Sequence, residues 1–340
     1  MDLHTLWFGL IAVLFTGFFV LEGFDYGVGI LLPFLGKHDA ERGMILHTIA
    51  PFWDGNEVWI IAGAGAIFAA FPIWYATMFS GFYLEIFFIL FALILRGAAI
   101  EFRGQRNSVT WHRTWEWVLF VGSILPGLLW GIILSNLITG VPVNAQQNYA
   151  GSILTPFNAQ AIFFGLALVA LFILHGAIFI NLRVTKGELT TRVHRTALFA
   201  WIPVVVLFAA AYGIGYAHSP IMRHILTAGS LIPVNILLAI VMIATLVFLL
   251  RKRTGWAFGM TTLTIILGAL EIGLGAFPNV MVSSLNPSWT LTATSAASSP
   301  YTLTVMSWLA LSIVPFVIAY QAWNYYIFRK RIQPGVIGHH

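Results

Sequence analysis

Long apolar runs separated by short polar connections dominate the chain. Runs of about 20 residues, the length of helix that crosses a hydrocarbon core of about 30 Å, occur nine times. The predicted spans lie near residues 5–33, 52–71, 77–100, 115–138, 159–182, 197–217, 227–250, 256–277 and 303–328. The pattern therefore predicts an all-α integral membrane protein with about nine transmembrane helices.

The basic residues fall in every second connection. Fifteen of the seventeen lysines and arginines follow the first, third, fifth, seventh or ninth span, whereas Arg96 lies inside the third and Arg223 follows the sixth. Because cytoplasmic loops carry the excess of Lys and Arg, we expect an outside amino terminus and a cytoplasmic carboxyl terminus. The amino-terminal segment has no basic leader region and no small-residue cleavage site, so it is expected to remain as a span.

Composition narrows the class of protein. Hydrophobic residues make up 59% of the 340 residues and charged residues only 9%, too little polar surface for a soluble globule. The absence of cysteine excludes disulfides, thiolate metal sites and cysteine nucleophiles. The net charge of +5 comes from short clusters and not from a continuous stripe, which argues against nucleic-acid binding. Since no P-loop, GxSxG or HExxH motif occurs, soluble-type catalysis has no candidate.

We expect residues 1–340 to form one transmembrane domain. The two longest outer connections, 139–158 and 278–302, are too short for a separate domain. LRGAAIEFR at 95–103 resembles LHGAIFINLR at 174–183, and each closes a span at its cytoplasmic edge. This similarity between the two segments is explained equally well by chance and by an internal repeat. The predicted architecture is two four-helix bundles plus one peripheral helix.

Charged residues accumulate at one level of the predicted membrane. The orientation and a rise of about 1.5 Å per residue place them in the cytoplasmic half of the first three spans. The members are Asp25, Asp54, Glu57, Arg96 and Glu101, with Glu22 nearer mid-depth. Each charge at such a depth costs about 2.5–3.5 kcal/mol on insertion scales. The cluster therefore requires a structural or functional reason.

The spacing of the acidic residues favours a proton or ion route. Glu22 with Asp25, and Asp54 with Glu57, lie three positions apart and share a helix face. Nearby carboxylates in a low dielectric cannot all ionise, so one is expected to hold a proton. We predict a proton pathway through Asp25, Asp54, Glu57 and Glu101. The expected supporting polar cluster consists of Glu22, Trp53, Asn56, Arg96 and Arg103.

A purely structural interpretation explains the same residues. Asp54 and Glu57 follow Pro51 at a helix start, where acidic side chains complement the helix dipole. Arg96 could pair with Glu101 or extend to the interface. Two further acidic residues, Glu85 and Glu271, lie in the outer halves of their spans, where structural hydrogen bonding explains them as well as a second polar site does.

Histidines give little support for haem binding by this chain. Only His175 lies well inside a predicted span, and no second histidine is predicted to face it at a similar depth. Two-histidine ligation requires such a pair, so His175 is better explained as a hydrogen-bonded interior residue. His339 and His340 are expected to belong to a fraying end and not to a metal site.

Three ordered motifs near the amino terminus resemble one protein family. EGFDYGVG, PFWDGNEVW and RGAAIEFR lie within about the first 105 residues. Together they resemble subunit II of the cytochrome bd-type quinol oxidases, which include the cyanide-insensitive terminal oxidases. The length and the nine-span layout fit along the whole chain, and beyond residue 110 the agreement is one of hydropathy.

The resemblance implies a heterodimeric respiratory enzyme that oxidises quinol and reduces oxygen to water. Two b haems and one d haem are then expected in the partner, subunit I, and none in this chain. Subunit II would support assembly and a hydrophilic passage from the cytoplasm toward haem d, and Asp25 and Asp54 match the acidic positions of that passage. The resemblance leaves open a bound quinone and a small single-span accessory subunit. The expected location is the bacterial cytoplasmic membrane.

Two other functions remain compatible with the buried charges. A proton- or ion-coupled secondary transporter also uses buried carboxylates and glycine-rich helices, although no matched pair of broken helices is evident. The third alternative is a scaffold in which the polar cluster only fixes assembly.

Overall fold

The chain folds almost entirely into helices. The structure is a computed structural model, described over residues 2–333, so His339 and His340 lie outside the described residues. The helices of this part are α1 (Leu3–Leu35), α2 (Asp39–His47), α3 (Trp53–Ala70), α4 (Pro72–Gly81), α5 (Tyr83–Phe102), α6 (Val109–Thr139), α7 (Ala159–Arg183), α8 (Glu188–His218), α9 (Pro220–Thr227), α10 (Ile232–Leu250), α11 (Thr254–Ala276) and α12 (Pro300–Ile327).

Eight of these helices are long and apolar enough to cross a membrane, namely α1, α5, α6, α7, α8, α10, α11 and α12. The remaining predicted span corresponds to α3, which has 18 residues. Its first turns contain Asp54, Asn56 and Glu57, and these polar residues lower its mean hydropathy. The prediction of an all-helical, multi-pass membrane protein is confirmed, while the number of strongly apolar helices is one fewer than nine.

The third predicted span begins later than expected. The predicted connection PIWYAT starts a separate helix, α4, with Pro72 in its first turn, where the missing proline N–H costs nothing. Phe82 lies between α4 and α5, so the long helix begins at Tyr83 and not at residue 77. Hydropathy alone does not reveal this break, because apolar residues continue across it.

Helix contacts divide the spans into two groups of four and one outlying helix. The first group consists of α1, α3, α5 and α6, in which α1 packs on α3 and α6, and α5 packs on α6. The second group consists of α7, α8, α10 and α11, in which α7 and α10 each pack on α8 and α11. The groups meet where α1 and α6 contact α7. α12 contacts α1 and α3, and Leu303 is its one buried residue. This arrangement agrees with two four-helix bundles plus a peripheral helix.

The crossing of α1 and α7 depends on two glycines. A Cβ atom on Gly27 would collide with the carbonyl oxygen of Phe172, and one on Gly176 would approach the Gly27 backbone. Such small residues allow helix backbones to approach closely in membranes. Gly27 belongs to the EGFDYGVG motif, so part of that motif serves packing.

The two ends of the helical bundle differ. The end that carries the arginine- and lysine-rich connections, here called the basic end, also holds α2. At the opposite end two long connections cover the helices. Strand β1 (Asn279–Met281) pairs with β2 (Leu291–Thr292), and Val141 N–H donates to the Val282 carbonyl at 2.9 Å. These two connections pack on one another.

Candidate functional site: a buried carboxyl cluster

Arg96 of α5 forms the centre of a buried ionic cluster. Its Nη1 lies 2.6 Å from Glu22 Oε2, and its Nη2 donates to Glu22 Oε1 at 2.8 Å. The same Nη2 donates to Glu57 Oε1 at 2.6 Å. Arg96 and Glu22 are completely buried, whereas 20% of the Glu57 side chain is exposed. One guanidinium group thus joins α1, α3 and α5, and Glu57 alone of these three opens to the surface.

The aromatic ring of Tyr26 completes the surroundings of Arg96. The Arg96 Cζ atom lies 4.9 Å from the Tyr26 ring centroid, within the range of a cation–π contact. Tyr26 occupies the turn of α1 after Glu22 and is fully buried. Trp53 lies nearby against Gly97 of α5, where a side chain at position 97 would meet its ring. Packing therefore holds the guanidinium in one place.

Asp25 belongs to a second, hydrogen-bonded part of the cluster. Its Oδ2 accepts from Asn56 Nδ2 at 2.7 Å. Asn56 Oδ1 in turn accepts from Gln321 Nε2 at 2.9 Å and from the Tyr325 hydroxyl at 2.8 Å. Asp25 and Asn56 are completely buried. A continuous hydrogen-bonded path therefore runs from α12 through α3 to α1.

The structure leaves two predicted pathway residues outside the cluster. Asp54 is exposed, and its Oδ1 accepts only from the neighbouring Gly55 N–H at 2.7 Å within the described residues. The expectation that it faces the bundle interior is wrong because the buried stripe of α3 runs through Asn56 and Ile60, and Asp54 precedes Asn56 by about 200° around the helix. Glu101 is also exposed, five positions beyond Arg96.

Arg103 belongs to a separate cluster at the basic end. It donates to Glu116 Oε1 of α6 at 2.8 Å and to Asp39 Oδ1 of α2 at 2.6 Å. Arg42 Nη1 reaches the other Glu116 oxygen at 2.7 Å, and His112 Nδ1 lies 2.8 Å from Asp39 Oδ1. The expected place of Arg103 beside Arg96 is therefore wrong. Asp39 and Glu116 had no place in the predicted cluster.

Opposing influences act on the Asp39 carboxyl. Partial burial raises its pKa, but attraction to Arg103 and the hydrogen bond with His112 outweigh burial, so the pKa lies below the ordinary value of 3.8. Glu41, on the same helix, accepts from Arg192 Nη2 of α8 at 2.5 Å. The charges of α2 therefore attach it to helices of both bundles.

Comparison with known proteins identifies the chain's family. The sequence profile described as cytochrome bd terminal oxidase subunit II matches residues 3–328. The chain belongs to this family. Cytochrome bd ubiquinol oxidase subunit 2 of Bacillus subtilis (strain 168) is 44% identical over 333 residues, which cover 97% of each protein. Cytochrome bd-I ubiquinol oxidase subunit 2 of Escherichia coli (strain K12) is 36% identical over 361 residues, 97% of this chain and 95% of the relative.

A solved structure shows the same fold. A chain in the structure of bd oxidase from Geobacillus thermodenitrificans aligns with a TM-score of 0.71 at 14% sequence identity, covering 97% of this chain and 100% of that chain. Membership in the bd oxidase subunit II family makes this chain a multi-pass membrane component of a terminal oxidase complex, which serves aerobic respiration and electron transport. It also decides against the secondary-transporter alternative.

The bd oxidase complexes contain haem. His175 is the histidine predicted to lie well inside a span of this subunit, so its surroundings bear on haem ligation. Its Nδ1 lies 2.7 Å from Thr261 Oγ1, and its Nε2 lies 3.2 Å from the Val20 carbonyl oxygen. The imidazole ring stacks on Phe258 at 4.6 Å. Both ring nitrogens therefore have protein partners, an arrangement that fits a hydrogen-bonded interior histidine.

A large apolar cavity lies between the two bundles of this subunit. Its volume is about 650 Å³, and Trp130, Glu271 and Asn235 are among its lining residues. Glu271 accepts from the Tyr212 hydroxyl at 2.5 Å, while its other carboxyl oxygen is buried without a partner in residues 2–333. Trp130 Nε1 and Asn235 Oδ1 are likewise buried and unpaired there. The cavity thus combines apolar walls with a few unpaired polar atoms close to its lining, a composition found in small-molecule sites.

Proposed function

We propose that this chain is the haem-free subunit II of the oxidase and that its buried carboxyl cluster conducts protons from the cytoplasm toward the partner subunit. The supporting observation is the composition of the cluster. Arg96 pairs with Glu22 and Glu57, while Asp25 is held through Asn56 of the same helix as Glu57, so the cluster contains three carboxyl groups and one guanidinium. An excess of buried negative charge is costly in a membrane. Bound protons remove that excess, and protons so bound can be exchanged.

The exposed residues indicate where protons enter. Glu57 is the cluster member that reaches the surface, and Asp54 lies in the same first turns of α3. The positive-inside rule assigns the basic end to the cytoplasm. Protons would therefore pass from Asp54 and Glu57 to Asp25 and Glu22. Glu101, exposed at the same end on α5, would widen the entrance.

The exposed surface of α3 and α12 is the proposed contact with subunit I. An aspartate facing lipid costs free energy, up to about 2.5–3.5 kcal/mol at the centre of the bilayer, and Asp54 is exposed on α3. Trp308, Phe316 and Trp323 of α12 are also exposed in the isolated chain. A protein partner with polar groups at the level of Asp54 would cover both features. A small single-span subunit would have to occupy a different face.

The bioenergetic reason for a proton route follows from the reaction. Quinol oxidation would release its protons on the outer face, and oxygen reduction would consume protons at the buried haem d. The two b haems and the d haem of subunit I would supply the electron transfer and oxygen chemistry. If this chain delivers protons only from the cytoplasmic side, each turnover moves charge across the membrane. Each elementary charge is worth about 2.3 kcal/mol per 100 mV.

The apolar cavity is the proposed site for a quinone in this subunit. The Trp130 N–H and the unpaired Glu271 and Asn235 oxygens lie behind the cavity wall. Side-chain rotation would let the N–H donate to a quinone carbonyl and the oxygens accept from a quinol hydroxyl. The volume of about 650 Å³ suits a headgroup with part of an isoprenoid tail. A quinone there would fill space between the two bundles and stabilise them.

The test of proton conduction is Asp25→Asn and Asp54→Asn in the assembled oxidase. We expect each variant to retain its haem, and Asp25→Asn to lower proton uptake and oxygen consumption by at least tenfold, the scale of losing one proton-transfer group. Full activity in Asp25→Asn would reject the proton route through this cluster. Haem loss in proportion to activity would instead support the scaffold interpretation. Arg113→Gln, at an exposed position of α6, is the control.

A further inference from the structure

Asn56 lies between a carboxyl group and two hydrogen-bond donors. On one side its Nδ2 donates to Asp25 Oδ2 at 2.7 Å. On the other side its Oδ1 accepts from Gln321 at 2.9 Å and from Tyr325 at 2.8 Å. The Asn56 amide is therefore held in one orientation, with its oxygen toward α12 and its NH₂ group toward Asp25.

The direction of the Asn56 amide affects which protonation state of Asp25 is favoured. An amide N–H donates well to an ionised carboxylate, and such charge-assisted bonds are stronger than neutral ones. A turned amide would present its oxygen to Asp25, and that oxygen can accept only from a protonated carboxyl group. Two donors converging on Asn56 Oδ1 favour the first arrangement.

We propose that Gln321 and Tyr325 are positioning residues that hold Asn56 as a donor and thereby set the proton occupancy of Asp25. The proposal rests on the proposed role of Asp25 as a proton carrier and deepens it. It assigns the last helix, which is otherwise mostly exposed, a part in the acidic site of the first helix.

Packing around Tyr325 supports a positioning role. Its ring stacks on Phe52 with centroids 4.4 Å apart and an interplanar angle of 2°. The Arg183 guanidinium lies 5.3 Å from the same Phe52 ring. The Asn324 side chain donates to the Pro51 carbonyl at 3.2 Å. The hydroxyl of Tyr325 is thus held at Asn56 by contacts that do not depend on its own hydrogen bond.

Other ionisable groups also act on Asp25, and the experiment leaves all of them except Tyr325 unchanged. They come from α1, α3, α5 and α12, and they are Glu22, Tyr26, Glu57, Arg96 and Tyr325. Of these groups, the double variant described next changes only Tyr325, which loses its hydroxyl. A change in Asp25 occupancy can then be assigned to the direction of the Asn56 amide.

The test is the double variant Gln321→Met with Tyr325→Phe in the complete oxidase. Methionine keeps the length of glutamine, and phenylalanine keeps the stack on Phe52. Infrared difference spectroscopy measures the protonated and ionised forms of Asp25, with Asp25→Asn assigning the bands. We expect the ratio of protonated to ionised Asp25 at fixed pH to rise about tenfold, the effect of losing one charge-assisted hydrogen bond. Proton uptake should slow by a similar factor with unchanged haem content.

The outcomes separate this proposal from the proposed function. An unchanged Asp25 ratio in the double variant overturns the positioning role, whatever the activity of Asp25→Asn. Full proton uptake in Asp25→Asn overturns the proton route, while the infrared comparison still decides the role of Gln321 and Tyr325. If the double variant loses haem, the single Tyr325→Phe variant gives the same spectroscopic answer with a smaller expected change. Tyr83→Phe with Tyr216→Phe, both exposed and on α5 and α8, is the control.

Discussion

Arg96 holds both oxygens of Glu22, with contacts of 2.6 and 2.8 Å from its two Nη atoms. Neither side chain is exposed at all. This two-pronged geometry is available to a guanidinium group and not to an ammonium group. The third contact, to Glu57, makes the same arginine the common partner of helices α1, α3 and α5.

Replacing Arg96 by leucine should destabilise the subunit severely. Removing one partner of a buried ion pair costs about 3–5 kcal/mol, because the remaining carboxylates lose their counter-charge. Arg96→Lys should be intermediate, since one ammonium cannot span Glu22 and also reach Glu57. Thermal unfolding of the purified complex measures the loss, with Arg113→Gln as an exposed control. An Arg96→Leu complex with normal thermal stability would show that the ion pair contributes little.

A methyl group on Gly27 should disrupt the contact of α1 with α7. The added carbon would collide with the Phe172 carbonyl, which is backbone and cannot move aside cheaply. We expect Gly27→Ala to destabilise the fold by a few kcal/mol, in the range of overpacked core substitutions. Gly259→Ala on α11 is the matched control, because open space surrounds that position. Equal yields of folded complex from the two variants would contradict the close crossing.

The attachment of α2 should weaken in acid. The pKa of Asp39 is lower in the folded protein than its ordinary value of 3.8. Its contacts with Arg103 and His112 therefore contribute stability above pH 3.8, and the contribution is lost as the pH falls through the lower folded pKa. Asp39→Asn should lower the unfolding temperature at neutral pH, and its difference from the parent should shrink below pH 3.8. Glu188→Gln, whose parent side chain is 92% exposed, should show no such pattern.

Filling the cavity should remove any quinone bound there. Gly268 of α11 lines the cavity, and space remains around its Cα. Gly268→Trp should therefore occupy the volume proposed for the headgroup, whereas Gly259→Trp on the exposed side of the same helix should not. Quinone extracted from the purified complex and counted per haem measures the effect. Equal quinone content in the two variants would exclude this cavity as the site.

The sequence predicted the centre of the acidic site because charges inside apolar runs are conspicuous. Glu22, Asp25, Glu57 and Arg96 do come together, and Asn56 joins them as a member of the same motif. The sequence does not predict which side of α3 is buried, because apolar residues of α3 itself occur on all sides of the helix. Asp54 was therefore assigned to the interior although the structure exposes it.

Contacts between distant segments were the least predictable part of the site. Gln321 and Tyr325 are uncharged residues near the end of a span, where polar and aromatic side chains are common, so nothing in their own segment indicated a partner on α3. Arg103 was expected near Arg96 because both lie in one motif. It binds Glu116 instead, since α6 follows α5 back along the bundle and places Glu116 opposite it.

The path from Asp25 to Tyr325 joins the first membrane helix to the last. During synthesis, the acidic residues of α1 and α3 enter the membrane long before α12 is made. Until then Asn56 lacks both of its donors from α12. The site thus reaches its final hydrogen-bonded form only after the last helix has been inserted, so completing the acidic site and completing the chain are one event.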